Sequence, residues 1–165
     1  MTKVGGAADP VAARAAFEDL YRGSYRSMFA VAMATTRERA LAEDMTQDAY
    51  AQLWVRWDRV DAPRAWLRRA VVSNCVDALR TRRRREGIIR RQPVTADVVG
   101  LGEDRFVDLL HGLTQRQRVA VTLRFVEDLS EADIAAALGC RPGTVKSSLH
   151  RAMRTIRTNL QGDPS

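Results

Sequence analysis

LSEADIAAALGC (Leu129–Cys140) followed by RPGTVKSSLHRAMRTIRTNL (Arg141–Leu160) decides the fold of this chain. Ser130 and the acidic residues just after it, Glu131 and Asp133, mark a helix start, and Gly139 marks its end. Ile134, Ala135 and Leu138 give that short helix an apolar side. Cys140-Arg141-Pro142-Gly143 is a tight turn, and Pro142 suits the first position of a second helix. In this longer helix Val145, Leu149, Ala152, Ile156 and Leu160 step along one face. The opposite face offers Lys146, Ser147, His150, Arg151, Arg154 and Thr158. A short bracing helix, a turn and a longer basic helix make a helix-turn-helix. Lys and Arg on the free face suit phosphates or guanine edges, and Ser and Thr donate to phosphates. The helix start around Gly143 and Thr144 adds unpaired amides for a phosphate.

Moving toward the N-terminus, Thr114-Gln115-Arg116-Gln117 fits a capping box, opening a helix through Val119, Ala120, Leu123 and Phe125. Before it, Phe106, Leu109 and Leu110 suggest a short helix ended by Gly112. Residues 104–161 thus form a C-terminal module. Residues 87–103 lose helical periodicity, carry Gly87, Pro93, Gly100 and Gly102, and read as a flexible linker. Fully extended, they reach roughly 55–60 Å at ~3.3 Å per residue. That exceeds the ~34 Å of one DNA turn, so the linker is long enough for two modules to occupy separate DNA segments, though reach alone does not prove that they do.

Residues 14–86 make the first module. Phe17, Leu20, Tyr21, Tyr25, Met28, Phe29 and Ala32 place a helix from Arg14 to about Ala34. Leu41, Met45, Ala49, Leu53 and Trp57 step by four and predict the buried stripe of a second helix, from about Glu38 to Trp57. Pro63 opens a third, carrying Trp66, Leu67, Ala70, Val71, Asn74, Cys75, Ala78 and Leu79 into the arginines at 80–85. Residues 1–13, with Gly5, Gly6 and Pro10, read as a disordered leader. Strand-like alternation is missing throughout. The expected fold is all-α: two small helical modules, the C-terminal one a helix-turn-helix.

The 165 residues carry 27 basic and 20 acidic side chains, a net charge of +7. The excess is localised. Residues 80–91 hold 7 basic and 1 acidic side chain, and residues 141–165 hold 5 and 1. Between them, residues 92–140 hold 4 basic and 8 acidic. Two basic stretches flanking an acidic one favour a polyanion partner, nucleic acid above all. All the basic residues except Lys3 and Lys146 are Arg. Arginine has GC-rich codons, so position carries more than abundance. Arg80-Thr81-Arg82-Arg83-Arg84-Arg85 is too concentrated for an ordinary solvated helix end and reads as a phosphate-binding run.

Several function classes are excluded. No apolar run approaches the ~18–20 residues of a membrane span, and the first residues carry no secretory signal. Cys75 and Cys140 fit packed hydrophobes, not a disulfide framework. His111 and His150 lie far apart and leave metal chemistry without ligands. No cofactor motif and no nucleophile–base pair appears, so the chain is not expected to be an enzyme. On the second helix, Asp44, Gln47, Asp48 and Ala51 share a face opposite the apolar stripe. An exposed helix face does not desolvate carboxylates, so they are no acid–base pair. Periodicity places Trp57 and Trp66 in the core and leaves Trp54 open to either core or surface.

Taken together, Phe17 to Leu160 resembles bacterial RNA polymerase sigma factors of the small extracytoplasmic-function (ECF) type of the sigma-70 family. Ala42–Trp54 is similar to the region that grips the clamp helices of the polymerase β′ subunit. The resemblance therefore implies that Asp44, Gln47 and Asp48 contact core polymerase. Asp58–Arg85 resembles the segment that opens and reads the −10 promoter element. Its turn Arg59-Val60-Asp61-Ala62-Pro63 resembles the loop that captures a flipped base. By the same resemblance Ser73, Asn74, Asp77 and Arg80 lie on the reading helix, with Arg82, Arg83 and Arg84 beyond them. Leu113–Leu160 is similar to the module that reads the −35 element. It carries the specific string Gly143-Thr144-Val145-Lys146-Ser147, and Ser148 stands where many members have Arg. The implied partners are core polymerase (β′ clamp helices and β flap), promoter DNA and, as for many members, an anti-sigma factor, all in the cytoplasm. The C-terminal half alone leaves a stand-alone helix-turn-helix regulator open. An acidic helix followed by an arginine-rich one, with no ligand or phosphoacceptor domain, argues for the sigma factor.

Overall fold

The computed structural model describes residues 9–87, 106 and 108–161. Residues 1–8 of the expected leader and 88–103 of the expected linker therefore lie outside the described residues, while leader residues 10–13 are helical and not disordered. Among those described there are helices and turns and no strand. Three helices form the N-terminal half: α1 (Pro10–Thr36), α2 (Arg39–Val55) and α3 (Pro63–Glu86), with a 3-10 turn at Trp57–Arg59. Three more follow: α4 (Gln115–Phe125), α5 (Glu131–Leu138) and α6 (Pro142–Gln161).

The helix signals act where the sequence places them. Pro63 opens α3. Thr114 and Gln117 close a reciprocal capping box on α4. Ser130 accepts from the Asp133 amide at the start of α5, and Gly139 ends that helix in the left-handed region at φ 63°. Only a residue tolerant of positive φ turns the chain there without strain. α1 starts earlier than its apolar spacing predicts. Asp9 accepts from the Val11 amide and Pro10 takes the first turn, so residues 10–13 are helical.

The buried stripe of α2 is rotated from the expected one. Ala42, Thr46, Ala49, Tyr50 and Leu53 are buried, while Met45 and Trp57 only border the core. Small Ala42 and Ala49 let α1 and α3 approach closely. Thr46 is buried because its hydroxyl donates back to the Ala42 carbonyl at 2.7 Å. Tyr50 is buried because its hydroxyl meets that of Ser24 at 2.6 Å. In α6, Leu160 is 62% exposed, so the apolar stripe ends at Ile156.

The two halves are packed together. Five successive residues of α4, Val119 to Leu123, are buried. Successive helical residues lie about 100° apart, so this run surrounds the helix with protein. One side meets α5 and α6 and the other meets α1. A single core joins Met28, Val31, Leu53, Leu67 and Val71 to Val119, Leu123, Ile134 and Val145. A second cluster sets Ala34 of α1 against Leu110, Leu113, Val121, Ala152 and Ile156. Polar contacts seal the seam. Arg118 donates to the Ala34 carbonyl at 2.8 Å, and Gln115 donates to the Thr35 carbonyl at 3.1 Å. These side chains satisfy carbonyls that the end of α1 leaves without helical partners.

Candidate nucleic-acid and polymerase interfaces

The recognition helix presents what its pattern promises. Val145, Ala152 and Ile156 are buried. Lys146, Ser147, His150, Arg151, Arg154 and Thr158 are exposed on the other side, while Thr144 and Ser148 are half-buried. Asn159 donates to the His111 carbonyl at 3.0 Å, which pins the far end of α6 to the turn before α4. That contact holds the exposed donors of α6 in fixed register.

The second surface is a cleft of about 990 Å³. Arg59, Val60 and Asp61 line it, together with Ser73, Asn74, Asp77 and Arg80 of α3. Every residue expected to read the −10 element, apart from the arginines beyond Arg80, thus faces one space. Trp66 also lines it, with the Arg56 guanidinium 6.0 Å from its ring centroid. The Asn74 side-chain nitrogen is buried and has no partner. Ala136, Ala137 and Leu138 of α5 and its cap Gly139 also line it, a neighbour the sequence did not reveal.

The arginine run is not uniform. Arg83, Arg84 and Arg85 are exposed, while Arg82 pairs with Glu38 and Glu86 and braces α3 against the start of α2. Arg80 lies 3.9 Å from Asp77, too long for a hydrogen bond. Replacing Arg83, Arg84 and Arg85 together with Ala is expected to weaken DNA binding across sequences. The slope of log affinity against log salt should shrink by about 0.9 for each phosphate that the variant no longer neutralises. Fluorescence titrations at several salt concentrations check this; an unchanged slope removes the run from the phosphate-binding surface.

The third surface is on α2. Asp44, Gln47, Asp48 and Ala51 are exposed in one row. Trp54, 46% exposed, and Val55, 79% exposed, continue it at the next turn. The Trp54 ring rests edge-on against Phe17 at 4.9 Å. Periodicity leaves Trp54 undecided; the structure makes it a supported, exposed apolar end to an acidic face. His111 contributes only its carbonyl to the contact with Asn159. Cys75 is buried, and burial pushes its thiol up to about 12, where it is inert.

Sequence reasoning missed one cluster altogether. The turn after α4 places Asp128 at φ 52°, and the preceding Glu127 points back across the seam into α3. Arg64 donates to it from Nη2 at 2.8 Å and from Nε at 3.2 Å, and Arg68 donates from Nε at 2.6 Å. The Glu127 side chain is fully enclosed. Burial drives its carboxyl up, but hydrogen bonds from Arg64, Ser27 and Arg68 outweigh that and hold it at about 2. Its folded-state value is depressed, so its contribution is complete above the usual carboxylate range. That contribution is lost only as pH falls toward 2.

Comparison with known proteins identifies the family. Residues 20–85 match the model for sigma-70 region 2, and residues 103–156 match that for sigma-70 region 4. RNA polymerase sigma-E factor of Streptomyces coelicolor is 32% identical, with 87% of this chain and 85% of that protein aligned. ECF RNA polymerase sigma factor SigL of Mycobacterium tuberculosis is 31% identical over 98% of this chain and 97% of its own. Among solved structures, the sigma factor RpoE in complex with the anti-sigma factor NepR from Bartonella quintana superposes with a TM-score of 0.75. That match is 25% identical and covers 90% of this chain and 99% of that one. The chain belongs to the sigma-70 family of RNA polymerase sigma factors, in its extracytoplasmic-function group. It is a promoter-directing initiation factor, and the stand-alone regulator is not favoured. No helix among the described residues is long and apolar enough to cross a membrane.

Proposed function

We propose that three surfaces divide the work of promoter recognition. The α2 row of Asp44, Gln47 and Asp48 grips the clamp helices of β′, with Trp54 and Val55 as its apolar end. The cleft wall of Arg59, Val60, Asp61, Ser73, Asn74, Asp77 and Arg80 reads and holds the −10 element, and Arg83 and Arg84 bind its phosphates. Arg82 is already paired within the fold and serves that DNA less directly. Thr144, Lys146, Ser147, Ser148, His150, Arg151 and Arg154 read the −35 element, while the C-terminal module, residues 104–161, meets the β flap. Residues 14–86 act as the other module and 87–103 as the connector. The reading rests on one observation above the others: the −10 turn and the −10 helix face a common cleft beside Trp66.

No bond is made or broken by this chain. Binding energy from the modules offsets the cost of unstacking, a few kcal/mol per step. It works in the cytoplasm, where polymerase is. An anti-sigma factor holding it inactive fits the same reading, since the Bartonella relative was solved with one.

Replacing Arg151 with Ala is expected to cost about 1–3 kcal/mol of promoter affinity and to relax discrimination at one −35 position. Titration against a panel of single-base variants checks it. Unchanged affinity and unchanged preference would reject Arg151 as a base reader. For the whole reading, the test is co-purification of the chain with core polymerase, followed by binding to a forked duplex carrying an unpaired −10 segment. Binding of duplex DNA with no association with polymerase would favour the stand-alone regulator instead.

A further inference from the structure

The cleft is shared by the two halves. Residues of α2 and α3 line it from one, and Ala136, Ala137 and Leu138 of α5 line it from the other. Its volume, about 990 Å³, is within the range of small-molecule sites, which favour junctions between structural units. The lining carries three kinds of chemistry. Trp66 offers an aromatic ring, half-buried, with the Arg56 guanidinium 6.0 Å from its centroid. Asn74 offers an amide whose nitrogen is buried and has no partner among the described residues. Buried donors are nearly always answered. This amide turns about its last side-chain bond at little cost, which brings its N–H to an acceptor in the cleft. Arg59, Arg69 and Arg80 add positive charge, against the carboxylates of Asp61 and Asp77. With Arg56 counted, guanidiniums outnumber carboxylates, so the lining attracts an anion.

We propose that the cleft is a binding site for a free mononucleotide: the base stacks on Trp66 and accepts from Asn74, and the phosphate meets the guanidiniums. A nucleotide uses all three chemistries at once, since its base has a π-face and hydrogen-bond acceptors and its phosphate suits arginine. The α5 residues are part of the site, so the nucleotide contacts both halves of the molecule. Nucleotide and promoter then compete for the same α3 residues, a consequence that rests on the reading of those residues as a DNA face. A rise in free nucleotide lowers the affinity of the chain for DNA.

The test titrates the full-length chain, without polymerase or DNA, with AMP, adenosine and inorganic phosphate in a calorimeter. AMP is expected to bind one to one, at least tenfold tighter than either of the other two, and to quench tryptophan fluorescence. Asn74→Leu removes the donor at nearly constant volume. It is expected to weaken AMP binding about tenfold and to leave the melting temperature unchanged or higher, because an unanswered buried amide costs the fold stability. Ala136→Glu sets a carboxylate in the cleft from an exposed position on α5. It is expected to keep the fold and to weaken AMP binding tenfold or more, and it carries the test alone if Asn74→Leu does not fold. AMP binding no tighter than phosphate overturns the proposal, because the ring would then contribute nothing. Parental AMP affinity in Ala136→Glu overturns it too, since the nucleotide would then sit elsewhere, and so does parental affinity in a folded Asn74→Leu chain. Neither promoter nor polymerase enters the titration, so failure of the promoter reading would show separately, as absent polymerase binding, and would leave the AMP result standing.

Discussion

Changing Asp44 and Asp48 together to Arg is expected to weaken association with core polymerase by about 100-fold or more, leaving the fold unchanged. The magnitude follows from charge. An acidic face selects a basic one, and like charges brought together at an interface cost several kcal/mol, with about 1.4 kcal/mol per tenfold in affinity. The fold is spared because both carboxylates are exposed and neither has an ion-pair partner among the described residues. The neighbouring Glu43 is a poorer choice, since it pairs with Arg39 at 3.0 Å. Competition binding against the parent chain measures the effect. Parental affinity in the double variant would remove the α2 row from the polymerase interface.

The second large effect is on stability. Leu123 is fully buried and lies in the core shared by both halves. Leu123→Ala is expected to cost about 2–5 kcal/mol, the range for emptying a buried leucine site. The loss should be felt by the molecule as a unit. Met28, Leu67 and Ile134 belong to the same core, so neither half keeps its own when this side chain is cut back. Denaturant unfolding followed by both tryptophan fluorescence and circular dichroism should give one transition, moved to lower denaturant with coincident midpoints. All three tryptophans lie in the N-terminal half and report on it. Two separated transitions, with the tryptophan signal unmoved, would contradict a shared core.

The helices themselves were legible because their signals are local. Pro63, the Thr114–Gln117 box, Ser130, Gly139 and Pro142 each act within a turn of their own position. The face of α6 was legible because only one side of it is covered. The stripe of α2 was misplaced because the four-residue step favours large side chains. The structure instead buries Ala42, Ala49 and a hydrogen-bonded Thr46 and Tyr50. Packing of one half on the other was not legible from linker length, which sets reach and says nothing of docking energy. The one clue lay in α4, where Val119-Ala120-Val121-Thr122-Leu123 has no charged residue. A helix with a single covered side would carry one within that span. Glu127 escaped notice for a related reason. It reads as one acid in a loop, and its partners Arg64 and Arg68 are close only in space.

The chain supplies promoter choice to a polymerase that lacks it. Run-off transcription measures that directly, with purified core enzyme, genomic fragments as template and the full-length chain freed of any inhibitor. The account predicts discrete transcripts that depend on the chain and share upstream elements at their start sites. No chain-dependent transcript from any fragment, with the chain folded and active in polymerase binding, would contradict it.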